Sequence, residues 1–438
     1  MSDSVVEAIQ RLNDVNRYLL HLDVDQHLKD MKTVYGQGRV WLGLNSAKFS
    51  NPNDVEWNNL SKSDLQFFDF PDIESFNIMC VGQAGTNKTV IAKNFLTTAH
   101  MTGFLCSVFD PKDKKMLDVN KAVEQVGVRR VLREFPRTSL PTVGFLPSFI
   151  LRRNYGSYRL RKSESDEFKH KFSLPIHCLN NPLNVQEVFY DKSYKVGNIG
   201  IKHLISAISK AEGVKDLLTS KGDLGKAWKG ISINPQTRNS ILHRLQSIEQ
   251  DEVFSDDKVF EKLFEVNDLK GSLFFRELLS GNIPVFYFGE GDVSNISLTV
   301  GEVLHLQRLF QEKYRTKKKF FNFGCDASLY LKSGTYASDI WNRNITIRRI
   351  FGISSWLDIQ NVRELEYSVA NNCSHQIWGY TNDDPAMSYA GVHRDLKEQI
   401  KYLRKDVDKH IFEFLLTDKD RMVKKFFPMG SIPYHGSW

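Results

Sequence analysis

The chain has 438 residues, 41% hydrophobic, 12% aromatic and 25% charged, with a formal net charge of +7; these values exclude long disorder and leave room for two or three units or for one elaborated α/β domain. Five scattered cysteines (Cys80, Cys106, Cys178, Cys325, Cys373), odd in number and without a CxxC pair, exclude a disulfide framework and a zinc site and point to a reducing, cytoplasmic setting. No run of about eighteen apolar residues occurs and the N-terminus lacks a signal peptide's apolar core, so a soluble protein without membrane attachment is expected, its positive charge favouring acidic partners such as nucleotide or nucleic acid.

Val5 to Leu22 places Val5, Ile9, Leu12, Val15 and Leu19 at helical spacing, which predicts an amphipathic helix. A strand over Arg39 to Leu44 and a polar loop over Asn51 to Leu60 follow, so residues 1–70 read as a small N-terminal adaptor. Next comes the apolar run Phe76 to Val81, then GQAGTNKT (Gly82, Gln83, Ala84, Gly85, Thr86, Asn87, Lys88, Thr89), then a helix over Val90 to Ala99. This is the phosphate-loop signature GxxxxGK[ST] in its strand, loop and helix context, complete except that Asn87 replaces the last glycine. In such a loop backbone N–H groups cradle the phosphates, Lys88 reaches the outer phosphates and the Thr89 hydroxyl sits on Mg²⁺, which implies ATP and Mg²⁺ as ligands. Asn is the side chain that best tolerates the positive φ a glycine would supply. A glycine-containing turn that happens to precede Lys-Thr is the plainer alternative, and the flanking elements speak against it.

Gly103 to Phe109 reads as a buried strand ending at Asp110, which opens a parallel α/β sheet. The next strand of similar quality is Ile283 to Phe288, so residues 113–282 form a long, mostly helical insertion, with a structural helix over Asn234 to Gln250. Its first half interleaves Arg129, Arg130, Arg133, Arg152 and Arg153 with Phe135, Phe145, Phe149, Tyr155 and Tyr158. Cations for phosphates and rings for bases make this a candidate nucleic-acid surface, and a solvated basic face over an aromatic core is the equally available reading.

From Ile283 the α/β rhythm resumes, with a helix over Val300 to Tyr314 and a strand over Phe320 to Phe323. Alternation after a phosphate loop describes an α/β, RecA-like P-loop NTPase core with a mainly parallel sheet, occupying residues 71–112 and 283–415. Such an ATPase needs an acid at the end of a neighbouring strand for Mg²⁺ and usually a second one for the attacking water. In FFNFGCDAS, Asp326 is the remaining acid, filling either the metal-side or the water-side position, with Cys325 or Ala327 in the other. A plain core strand followed by an exposed Asp is the alternative. The tail, residues 416–438, carries Pro, Gly and aromatics and reads as irregular.

The phosphate loop, the Asp326 strand and the segment from Ile350 to Tyr380 together resemble the HerA/FtsK superfamily of DNA-pumping ATPases. The resemblance places the family's polar strand-end sensor at Trp356, with Gln360 one helical turn later, and its Asn-containing turn at Asn371-Asn372. It implies a homo-oligomeric, hexameric ring in which Arg349 completes a neighbour's site, with Arg343 and Arg348 as rivals. It also implies ATP hydrolysis coupled to DNA translocation or packaging, with Lys88, Asp326 and Arg349 in the catalytic roles and Thr89 and Asp326 on the metal. Asn87, Cys325 and Trp356 depart from the family pattern. The alternative is therefore a catalytically impaired scaffold that binds nucleotide weakly or not at all, paired with an active paralogue. A small-molecule kinase is a third reading, and no acceptor-binding lid is recognisable for it.

Overall fold

The computed structural model describes residues 38–428 apart from 53–54, 56–61, 72–74, 112–141, 153–167, 181, 190–197, 251, 256–261, 270, 290–291, 345–350 and 419–421. The predicted helix over Val5 to Leu22 lies outside the described residues.

The strands, in chain order, begin with β1 (Arg39–Asn45), β2 (Leu65–Asp69), β3 (Asn77–Val81) and β4 (Leu105–Asp110). The insertion carries β5 (Thr142–Pro147), β6 (His170–Phe172), β7 (Leu174–Pro175) and β8 (Phe254–Ser255). Then come β9 (Ile283–Tyr287), β10 (Phe320–Gly324), β11 (Ile353–Ile359) and β12 (His375–Gly379). The chain closes with β13 (Lys405–Asp406), β14 (Ile411–Phe412), β15 (Phe414–Thr417) and β16 (Met422–Pro428). One sheet of 12 strands takes the order β2-β1-β16-β15-β12-β3-β11-β10-β4-β9-β5-β6. From β12 to β6 every pairing is parallel; β15, β16, β1 and β2 extend the other edge antiparallel.

Strands covered on both faces read as unbroken apolar runs. Accordingly all five residues of β3 and all seven of β11 are buried. One face packs Ile78, Cys80, Phe321, Phe323 and Trp356 against α1 (Lys88–Met101). The other packs against α2 (Val293–Tyr314), started by Asp292 Oδ1 accepting from the N–H groups of Ser294 and Asn295 at 2.9 and 3.4 Å, and against the insertion.

The α/β core with a mainly parallel sheet is thus the fold observed. The insertion is helical over Pro182–Phe189, Asn198–Ile208 and Pro235–Gln250, and it also lends β5 and β6 to the sheet. The tail differs from its irregular reading. Met422 to Pro428 forms β16, since Phe426 and Phe427 are buried and the strand fills the gap between β15 and β1. Phe145 and Phe149 are fully buried in the core, so of the two readings of the basic and aromatic stretch these rings fit the core.

Candidate functional site

The chain leaves β3 for β4, skips the places later filled by β11 and β10, and then puts β12 on the far side of β3. Strand order therefore reverses around β3, and the crevice beyond the strand ends at such a switch point is where α/β sheets bind ligands. Gly82 to Lys88 occupies that crevice, bridging β3 and α1. Gly82 N–H donates to Ile359 O at 3.1 Å. A Cβ on Gly82 would meet Thr86 Oγ1 at 3.0 Å, so the loop packs closely against this glycine.

Asn87 sits at φ 63° and ψ 17°, the left-handed conformation expected of it, and its side chain makes no cap on α1. It takes the glycine's place without closing the helix N-terminus, where the first N–H groups lack intrahelical acceptors. Lys88 is buried and curls over the loop, Nζ donating to Gly82 O at 2.8 Å and to Gln83 O at 2.9 Å. Asp358 Oδ1 lies 3.6 Å from the same ammonium. The Thr86 hydroxyl braces the loop by donating to Gln83 O at 2.7 Å, and Thr89 is the second residue of α1.

The sequence reading missed Asp358. Its signal was an acid inside an apolar run, on the same strand face as Trp356. Trp356 itself is not at the strand end. It is fully buried at mid-strand, its ring 4.6 Å from that of Phe95 on α1, because β11 continues to Ile359. The polar residue at the strand end is Gln360, whose Nε2 donates to Asp326 Oδ1 at 2.6 Å.

Asp326 starts a short 3₁₀ turn (Ala327–Leu329) at φ 42° and ψ 45°, two residues beyond β10. Between them Cys325 donates its N–H to Phe109 O at 2.9 Å. Gly324 pairs with Phe109 and with Leu357, so one residue further Cys325 stands level with Asp110 on β4 and Asp358 on β11. Burial pushes the Cys325 thiol up, and the carboxylates of Asp110, Asp358 and Asp326 push it further, against Lys93. Burial and Asp358 raise Cys80 likewise, against Lys88. Neither is a thiolate nucleophile at neutral pH. Acids thus stand on the strands either side of Cys325.

Arg343 is half-exposed and pairs with Asp339 one turn back at 2.9 Å. Arg348, Arg349, Arg129, Arg130, Arg133 and Arg153 lie outside the described residues, and Arg152 ends a five-residue helix (Ser148–Arg152). Among the described residues no group of three or more His, Cys, Asp or Glu is arranged to hold a metal. Among the described residues no helix is long and apolar enough to cross a membrane.

No family model and no curated protein matches the sequence. Among solved structures the chain is similar to VirB4 of Thermoanaerobacter pseudethanolicus, at 10% identity over 90% of this chain and 97% of that one, with a TM-score of 0.46. It is similar at 10% identity to a truncated bacterial conjugative coupling protein TrwB, over 90% of this chain and 91% of that one (TM-score 0.47). It is likewise similar at 10% identity to the genome packaging NTPase B204 of Sulfolobus turreted icosahedral virus 2, over 82% of this chain and 99% of that one (TM-score 0.34). The assignment as a RecA-like P-loop NTPase fold rests on the strand order and on the phosphate loop at its switch point.

Proposed function

We propose that the chain is an ATP-driven DNA translocase or packaging-type motor of the HerA/FtsK class, working inside the cell as a homo-oligomeric ring. The observation that carries the ATPase part is a phosphate loop at the switch point, with an acid, Asp326, just beyond the strand two places away and held by Gln360 from the strand end between them. The residues fit a magnesium nucleotide. Asn87 has the backbone conformation the loop needs, and the Lys88 ammonium is held inside the loop by carbonyls and a carboxylate that phosphate oxygens can replace. Gly82, Gln83, Ala84, Gly85, Thr86, Asn87, Lys88 and Thr89 would hold the phosphates, and Thr89 and Asp326 the Mg²⁺. The bound nucleotide supplies the phosphoanhydride bond whose hydrolysis drives movement. Asp326, fixed by Gln360, would hold the metal and its water, and Asp110 and Asp358 would add negative charge beside it.

The coupling to DNA, the Arg349 contribution to a neighbour in a hexamer, and DNA contacts by Arg129, Arg130, Arg133, Arg152 and Arg153 rest on the sequence resemblance and on the chain's positive charge. ATP hydrolysis measured with and without duplex DNA, beside Lys88→Ala, tests the whole reading. DNA-stimulated turnover that Lys88→Ala abolishes is the expected result. Turnover unchanged by that substitution, or no turnover in the wild type, overturns it.

A further inference from the structure

Asp110, Asp326 and Asp358 all stand at the ends of β4, β10 and β11, on one side of β3. On the other side, beyond β12, lies a groove whose lining includes Gln83, Thr86, Tyr380, Lys405, Phe412 and Phe414. Tyr380 follows the last residue of β12 and is half-buried; its hydroxyl accepts from Asn382 Nδ2 at 2.7 Å, which fixes the ring. Lys405 Nζ sits 5.6 Å from the centre of that ring and donates to the side-chain oxygen of Gln83 in the phosphate loop. The ring face and the loop are therefore separated by a single ammonium group.

Lys405 is carried by the β13–β14 hairpin, which is firmly seated. The neighbouring Arg404 guanidinium donates to Phe49 O, Ser50 O and Ser46 O at 2.9, 2.8 and 2.8 Å, and Arg404 N–H donates to the buried Glu413 at 2.9 Å. A nucleoside triphosphate that turns its terminal phosphate toward the acids must cross the loop, so its sugar emerges on the β12 side. We propose that this groove takes the base and ribose of the nucleotide, with the base stacked on Tyr380 and Lys405 moved from Gln83 to the phosphate nearest the sugar. An aromatic face held beside a cation is the arrangement that receives a base and its phosphate together. The proposal rests on the reading of Gly82 to Thr89 as a phosphate site.

Titration calorimetry of the full chain with ATPγS and with inorganic tripolyphosphate, both with Mg²⁺, separates the two ends of the ligand. Tyr380→Ala is expected to weaken ATPγS by about tenfold or more, the loss of one stacked base, and to leave tripolyphosphate within about twofold of wild type. Tyr380→Phe keeps the ring and is expected to bind both ligands as the wild type does. Retained tripolyphosphate binding also shows that Tyr380→Ala is folded. Equal weakening of both ligands, no weakening of either, or a Tyr380→Phe that behaves like Tyr380→Ala overturns the proposal. Lys88→Ala is expected to lose both ligands; wild-type tripolyphosphate affinity in that variant overturns the phosphate-site reading itself.

Discussion

Replacing Asp358 with Asn removes the carboxylate that stands beside the Lys88 ammonium. The two groups are 3.6 Å apart, with side chains 10% and 6% exposed. Attraction at that separation is about 4–5 kcal/mol at an effective dielectric of about 20, and much of it offsets the desolvation of both charges. Removing one member of a buried pair leaves the other uncompensated, which costs about 3–5 kcal/mol. Lys88 keeps its two carbonyl acceptors at 2.8 and 2.9 Å, so the lower end, about 3 kcal/mol, is expected. The unfolding entropy of a chain of 438 residues is about 0.9 kcal/mol/K, which converts this loss into a fall in Tm of about 3 °C. On the proposed reading phosphate would compete with Asp358 for the same ammonium, so the variant should gain more stability from ATPγS than the wild type gains. Thermal unfolding with and without ATPγS reads both effects. In the double variant Lys88→Met, Asp358→Asn no charge is left unpaired, and its loss should be smaller than the two single losses combined by about 2 kcal/mol. An unchanged Tm in Asp358→Asn, or strict additivity in the double variant, would refute the pair.

Gln360→Ala removes the 2.6 Å hydrogen bond to Asp326 and is expected to lower DNA-stimulated ATP turnover about a hundredfold while nucleotide affinity stays near wild type; normal turnover would dismiss the role given to Gln360. Trp356→Gln puts an amide into the core beside Phe95, so it should cost about 3–5 kcal/mol of stability by chemical denaturation and bring no gain in hydrolysis. A gain without that loss would return position 356 to the strand end. Burial pushes the Glu302 carboxyl up to about 7, opposed in part by His177, the Tyr336 hydroxyl and Arg308. The folded state then binds this proton more tightly than the unfolded chain. The contribution of Glu302 to stability should fall as pH rises from about 4.5 to about 7 and then level off. The difference in stability between wild type and Glu302→Gln, followed across that range, should grow in favour of the variant, and a constant difference would exclude the titration.

The phosphate loop was legible because its demands are local. Eight adjacent residues carry it, and the one unusual member, Asn87, meets its φ of 63° by its own conformational tolerance. The strands β3, β4, β9 and β10 were legible for a related reason, since a parallel strand buried on both faces must be apolar throughout. Pairings between distant segments left no such trace. Residues of β1 join β16 across almost the whole chain, and the aromatics of β16 read as tail until β15 and β1 are seen to flank them. The level row of Asp110, Cys325 and Asp358 exists through strand register alone. The same holds for the end of β11. Taken by itself, Asp358 breaks the apolar run and marks a strand that stops near Trp356. The strand runs on because a buried carboxylate is tolerated where an ammonium meets it, and that ammonium, Lys88, comes from a loop far away in the chain.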